Sequence, residues 1–474
     1  MKWDLLLSKQ KLAREEAAPS QFRSYPINDF EIDYNKIVSS AAFRRLQDKT
    51  QVFPLDKSDF VRTRLTHSIE VSTIARQLGI MISKNTTGFK SDDIGDVEAE
   101  GISSVLLCAG LLHDLGNPPF GHFGETVIGE WFKNNLKNLR YRDNECGLDK
   151  ILTPQMVKDL ECFEGNAQAL RILAKARHDS EINLSAAVIS TLVKYPTIST
   201  AFNKKDADIK KHKPGCFFAE YATFTEVSKM VGTVDESGDI CRHPLTFLLE
   251  AADDIAYVTA DLEDAFKKGL FSLNEFIGFL RDCFSEINAP YAQRVINDLA
   301  ERQEQQRKDP AANKSQIFAD WVTFTRRWLM YSAVYSFSRN YDEIMQGTYK
   351  NDLFYGTYHE DTIRIMKKDV MRKFVFNSTG ILKLELSSQT ILNFLLREFV
   401  DAVIHFDTDS GKLTSAHEKY LNIFSDNYKN DYVASRTGDE VTDLYLRLLM
   451  VTDYISGMTD TYARTLYREL SGIE

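Results

Sequence analysis

A mainly α-helical protein is expected from three observations. Apolar residues recur at helical spacing in long runs, notably 102–112, 186–193, 247–257, 388–405 and 440–468. Strand signals are few. Proline and glycine fall between the runs rather than inside them, as in Gly116-Asn-Pro-Pro119, where proline removes an amide donor and restricts the residue before it. The chain of 474 residues has the length of two or three average domains or of one large helical core with additions. The expected division is a core over 1–290 and a mainly helical lobe over 291–474, packed on the core and used in oligomerisation.

Taken in order, residues 1–30 are polar and loosely patterned, and 34–46 reads as a helix ending before Gln51. Arg44, Arg45, Lys49, Arg62 and Arg64 make this region cationic; standing alone, such a cluster would be a solvated face. A helix then starts near Thr66, read as its N-cap, with Ile69, Ala75 and Leu78 as its apolar positions. The run 102–112 predicts a buried helix that delivers His113 and Asp114 at its end. After the break at 116–119 a helical pattern resumes, so His122 and Glu125, three apart, can share a face. Residues 134–159 are polar and interrupted, 161–171 and 186–193 are helical, and 203–215 is a lysine-rich loop. A strong helix follows at 247–257, then a charged segment, 301–314, that separates two lobes. At 373–385 two apolar runs flank Asn377-Ser-Thr-Gly380, the pattern of a small β-hairpin.

The net charge of −10 argues against a generally basic nucleic-acid binder. Six widely spaced cysteines without a C-x-x-C pair read as reduced thiols. No apolar run reaches signal or membrane-spanning length. A soluble, cytoplasmic protein is therefore expected, with no membrane partner.

The chemistry centres on 111–125. A His-Asp dipeptide alone is weak evidence, and this chain has two, His113-Asp114 and His178-Asp179. The second follows Ala-Lys-Ala-Arg and reads as an exposed helix end. The first has an apolar helix behind it, where a charged carboxylate needs a partner such as a cation. His67, His113, Asp114 and one of Asp253 and Asp254 can complete one site. Imidazole with carboxylate suits Mn, Mg, Fe, Co or Zn. Leu249, Ala252, Asp253, Ala256, Tyr257 and Ala260 form one helical stripe with Asp254 beside it, which favours Asp253. Tyr257 and Asp261 continue that face and can follow a substrate sugar away from the metal. In His122 and Glu125 a carboxylate can orient an imidazole and stabilise its protonated form, as a general acid requires; the plainer reading is a polar pair at a helix start.

The chain resembles the HD-domain deoxynucleoside triphosphate triphosphohydrolases, and among them the bacterial dGTPases. The stretches that carry the resemblance are FRRLQDKTQVFP (43–54), RTRLTHSIEV (62–71), LHDLGNPPFGHFGE (112–125), FEGNAQ (163–168), LVKYP (192–196) and LEAADDIAY (249–257), with ISGMTDTY (455–462) towards the C-terminus. It implies an HD-type metal-dependent phosphohydrolase core over 1–290 and attack of water at the α-phosphorus, releasing a deoxynucleoside and intact triphosphate and so controlling the dNTP pool. It implies His67, His113, Asp114 and Asp253 as ligands of Mn or Mg, with His122 as the acid for the departing 5′-oxygen and Glu125 as its holder. Gln51 with Asp261 correspond to readers of the sugar 3′-hydroxyl, Val52 and Tyr257 to pocket walls, and Arg64, Lys194 and Tyr195 to phosphate contacts. Hexamers, and single-stranded DNA or a nucleotide as effector, are also implied. A 5′-nucleotidase or phosphodiesterase of the same superfamily would need neither the His122–Glu125 segment nor the cationic first stretch. A guanosine tetraphosphate hydrolase would carry acidic residues where Leu115-Gly-Asn117 stands. A silent nucleotide-sensing or DNA-binding subunit need not keep the acid.

Overall fold

A computed structural model describes every residue except 14–27, 54–57, 85–93, 176–181, 286, 288–289, 309–312, 377–378, 409–411 and 474. The described residues are almost all helix and turn, with only isolated β-bridges such as Thr50 to Thr63. Six helices build the candidate site: α1 (Arg64–Ser83), α2 (Asp96–Leu112), α3 (Gly121–Asn135) and α4 (Pro244–Lys267), and from the C-terminal part α5 (Glu440–Ser456) and α6 (Asp460–Ser471).

Local chemistry explains where these helices start. Thr63 caps α1: its hydroxyl accepts from the Thr66 amide, and the Thr66 hydroxyl accepts from the Thr63 amide 3.0 Å away. Thr66 is thus the return half of a capping box and not the cap itself. Pro244 opens α4 at a position where a missing amide costs nothing. Helix α2 is apolar nearly all round and packs against α1 and, less extensively, α4, with Val105, Leu106, Cys108, Ala109 and Leu112 fully buried. In α1, Ala75 and Leu78 are buried as expected, whereas Ile69 is 48% exposed.

Helices α1 and α2 touch backbone to backbone. A Cβ built on Gly110 would lie 2.4 Å from the Ser72 Cα. Because that neighbour is main chain, Gly110→Ala cannot be relieved by a rotamer change. It is expected to cost at least about 2–3 kcal/mol, the upper end for overpacked cores, read as a lowered denaturant midpoint with unchanged slope.

Two buried clusters make up the interior. One spans Trp3 to Ile381 around α1, α2 and α4; the other joins Phe120 to Phe217 with Ile391 to Leu466. The first cluster runs through residue 290 without a break, and α3 packs with the helices of 391–466, so it is shared between the N- and C-terminal parts of the chain. No described helix is long and apolar enough to cross a membrane.

Three further expectations change. The hairpin expected at 373–385 is helical wherever it is described: Arg372–Phe376 is a π-helical turn, and Thr379–His405 is a long helix. Phe374 there packs against Phe271, Phe276 and Phe279, so its apolar run is a buried helical face. The charged segment at 301–314 is in part the end of a helix, Pro290–Lys308. The helix expected over 34–46 is broken at Ser40, which ends Asp29–Ser39 and caps Ala41–Arg44.

Candidate metal centre and active site

The end of α2, the first turn of α1 and the middle of α4 converge on one point. His67 Nε2 and His113 Nε2 each lie 3.5 Å from Asp253 Oδ1. Ligand atoms of these three side chains all lie within 4.8 Å of one another. Both histidines are buried. The Nδ1 of His113 is 2.8 Å from the Gly110 carbonyl, which can only accept, so Nδ1 carries the proton and Nε2 presents a lone pair in the neutral ring. That Nε2 and the His67 Nδ1 are buried without a hydrogen-bond partner. The buried, unpartnered His113 Nε2, with His67 Nε2 beside the same carboxylate oxygen, fits a divalent cation.

Asp114 stands at the edge of this cluster. Its Oδ2 is 3.4 Å from His113 Nε2 and accepts from Arg64 Nη1 at 2.6 Å, while Asn117 donates to its Oδ1. The second oxygen of Asp253 accepts from Lys194 Nζ at 2.6 Å. Both carboxyls are held well below the usual range: burial opposes this, and Arg64 for Asp114 and Lys194 for Asp253 outweigh it. Arg64 and Lys194, expected at the phosphates, thus rest on the two acidic residues. Asp254 points elsewhere and accepts from Lys367 Nζ at 2.7 Å.

Beyond the 116–119 break, His122 opens α3 with its side chain 75% exposed and its Nδ1 2.8 Å from Glu125 Oε2. The other oxygen of Glu125 accepts from the Gly165 amide at 2.9 Å. A Cβ on Gly165 would lie 2.1 Å from Asn117 Oδ1 and 2.6 Å from Glu125 Oε1, so only glycine allows this approach. Glu125 raises the His122 pKa by its charge and its hydrogen bond, against the opposing charges of Arg64 and Lys213.

A third group surrounds these. Asp261, on the same helix as Asp253, is 1% exposed with neither oxygen partnered, and burial pushes its carboxyl well above the usual range. Gln51 Oε1 is likewise buried without a partner. Val52 and Tyr257 are half-buried against the larger core, and Tyr195 is half-buried beside Lys194. The Arg64 guanidinium contributes to the electrostatics of Asp114, His122 and Asp261, so the candidate metal cluster, the His122–Glu125 pair and the orphaned carboxyl lie near one another. His178 and Asp179 lie outside the described residues.

The sequence reading did not single out Asn117, Glu164, Lys213 and Lys367. Lys213, from the lysine-rich loop, donates to Glu164 at 3.0 Å and acts on His122 and Glu125. Glu164 adjoins Gly165 in the FEGNAQ stretch, which was a signal for it; Lys367 had none, since its partner is 113 positions away.

The HD domain family profile matches residues 64–186, which include His67, His113 and Asp114 and stop short of Asp253. Similar proteins extend along the whole chain. A deoxyguanosinetriphosphate triphosphohydrolase-like protein of Listeria innocua is 41% identical over all of both chains. Another with that description, from Synechocystis, is 31% identical over all of both chains. The deoxyguanosinetriphosphate triphosphohydrolase of Serratia proteamaculans is 31% identical over 94% of each.

Proposed function

The chain belongs to the HD-domain family of deoxyguanosinetriphosphate triphosphohydrolases, and from that premise we propose that it hydrolyses dGTP, or several dNTPs, to the deoxynucleoside and inorganic triphosphate in the cytoplasm. The observation that carries the reading is the pairing, across the 116–119 break, of the His67–His113–Asp253 cluster, both of its histidines buried, with an imidazole oriented by a buried glutamate.

His67, His113, Asp114 and Asp253 would hold a divalent ion, with Mn or Mg the expected metal. When bound, such an ion acts as a Lewis acid at a phosphoryl oxygen and makes water a better nucleophile at neutral pH. Arg64 and Lys194 sit one side chain from those ligands, and with Tyr195 they supply positive charge and a hydroxyl for the phosphates. His122 delivers its Nε2 proton to the 5′-oxygen as the P–O bond breaks, while Glu125 fixes the ring through Nδ1. The unpartnered oxygens of Gln51 and Asp261 support a role at the sugar 3′-hydroxyl. Tyr257 and Val52 wall the pocket, and a tyrosine under the sugar leaves little room for a 2′-hydroxyl.

Phosphorus NMR or anion chromatography decides the reaction. Triphosphate is expected from at least one of the four deoxynucleotides with Mn or Mg, and much less from the ribonucleotides. Absence of triphosphate from all four, with and without a second nucleotide as activator, would defeat the reading.

The C-terminal helices are proposed to serve assembly as well, as hexamers. Leu382 and Leu386, one turn apart, are 48% and 65% exposed, which supports an interface between copies. Single-stranded DNA or a second nucleotide is proposed as effector on family resemblance alone.

Asp261 gives a test of the sugar pocket. A carboxyl whose pKa is raised by folding contributes stability at low pH and loses it as pH rises through the folded value. Asp261→Asn is permanently neutral, so it is expected to stabilise the free protein by about 1–3 kcal/mol at pH 8 and by less at pH 4, while weakening discrimination for the 3′-hydroxyl. Equal melting shifts at both pH values would show that Asp261 does not titrate in this way.

A further inference from the structure

The ISGMTDTY stretch at 455–462 has no part in the chemistry above, yet it touches both active-site loops. Asp460, the first residue of α6, is 2% exposed. Its Oδ1 accepts from the Phe120 amide at 2.9 Å. Its Oδ2 accepts from the Thr50 amide at 3.0 Å, and the Thr50 hydroxyl donates to the same oxygen. Thr50 precedes Gln51, and Phe120 lies two residues before His122.

Neighbouring contacts reinforce this junction. Lys49, 3% exposed, donates from Nζ to the Asn117 carbonyl at 2.7 Å and to the Ser456 carbonyl at 2.6 Å, the latter at the end of α5. The Thr461 hydroxyl donates to Asp48 at 3.0 Å. Phe120 has φ of 64°, the left-handed region, which a non-glycine side chain adopts only when its surroundings hold it there. The bond from its amide to Asp460 is one such hold.

We propose that Asp460 is a positioning residue: its two oxygens fix the Gln51 loop and the start of α3 relative to each other, so the C-terminal helices set the distance between sugar recognition and proton delivery. The catalytic meaning of that distance rests on the function proposed above. A carboxylate suits the task because it offers acceptors in two directions and no donor. An asparagine would turn an NH2 group toward one of the two amides and leave a buried donor unpaired.

The test compares the full-length wild type with Asp460→Asn by hydrogen–deuterium exchange, read by mass spectrometry, and by turnover of dGTP and its 2′,3′-dideoxy analogue. Exchange is expected to rise about tenfold or more in peptides covering 48–52 and 117–123, while α1 and α4 keep their protection. Preference for dGTP over the dideoxy analogue should shrink, with kcat/KM on dGTP falling on the order of 10²-fold, as for a small misplacement of reacting groups. Thr50→Val removes one of the three donors and keeps the shape, and should move the same peptides by a smaller factor. Unchanged exchange in both segments, or a rise spread equally over α1 and α4, would overturn the proposal. A wild-type protein that yields no triphosphate would defeat the catalytic reading alone, because the exchange comparison does not depend on turnover.

Discussion

Asp253→Ala is expected to remove both bound divalent metal and triphosphate release. The side chain sits where α1, α2 and α4 meet, with Oδ1 3.5 Å from both His67 Nε2 and His113 Nε2. Without it His67 loses the carboxylate beside its Nε2, His113 keeps only Asp114 at 3.4 Å, and Lys194, 8% exposed, loses the carboxylate it bonds at 2.6 Å. Loss of groups that only orient a ligand already costs about 10–100-fold in metal affinity, so loss of a ligand should exceed about 10²-fold. Removing one member of a fully buried ion pair costs about 3–5 kcal/mol, and this pair, with Asp253 26% exposed, should lose less but still enough to make Asp253→Asn the necessary companion: it keeps the shape and separates metal loss from unfolding. Asp254→Ala is the contrast. Burial pushes the Asp254 carboxyl up to about 6, and its partner Lys367 lies away from the cluster, so metal content should persist and turnover change by less than about tenfold. Metal analysis of the three purified variants checks the ranking. Metal lost in Asp254→Ala and kept in Asp253→Ala would reverse the assignment of the helix face.

That contrast was legible in the sequence because helical phase is a local property: Asp253 lies in the apolar stripe of α4 and Asp254 beside it. The three-residue spacing of His122 and Glu125 was legible for the same reason. The partners of Arg64 and Lys194 were not. Their carboxylates are 50 and 59 positions away, and spacing carries no information at that range. Both cations were expected at phosphates, and in the structure Lys194 lies on Asp253 of the candidate metal cluster and Arg64 on Asp114 at its edge. The 373–385 segment shows another limit. Its Phe-Val-Phe run before Asn-Ser-Thr-Gly has β propensity and turn chemistry, but burial against Phe271 and Phe276 favours helix. The hold of Asp460 on Thr50 and Phe120 crosses more than 300 positions and was visible only as a motif without a role.

His122→Ala should slow turnover by about 10²- to 10⁴-fold, the usual contribution of a general acid, with bound metal unchanged. The geometry separates these two readouts, since His122 opens α3 beyond the 116–119 break and is not among the clustered ligand atoms. Loss of metal would instead make it a ligand. Glu125 supplies the sign of the pH dependence. Its charge and its 2.8 Å contact raise the His122 pKa, so the imidazole stays protonated to higher pH than a free histidine, and kcat should fall as pH rises through that raised value. In Glu125→Gln the charge is gone, and the fall should begin at lower pH. The need for an acid also depends on the leaving group. A deoxynucleoside 5′-oxygen is a poor one, whereas a p-nitrophenolate departs without a proton. The defect of His122→Ala should therefore shrink on a p-nitrophenyl ester of a deoxynucleotide. An undiminished defect on that ester would mean that His122 acts on the phosphate or the nucleophile and not on the departing oxygen.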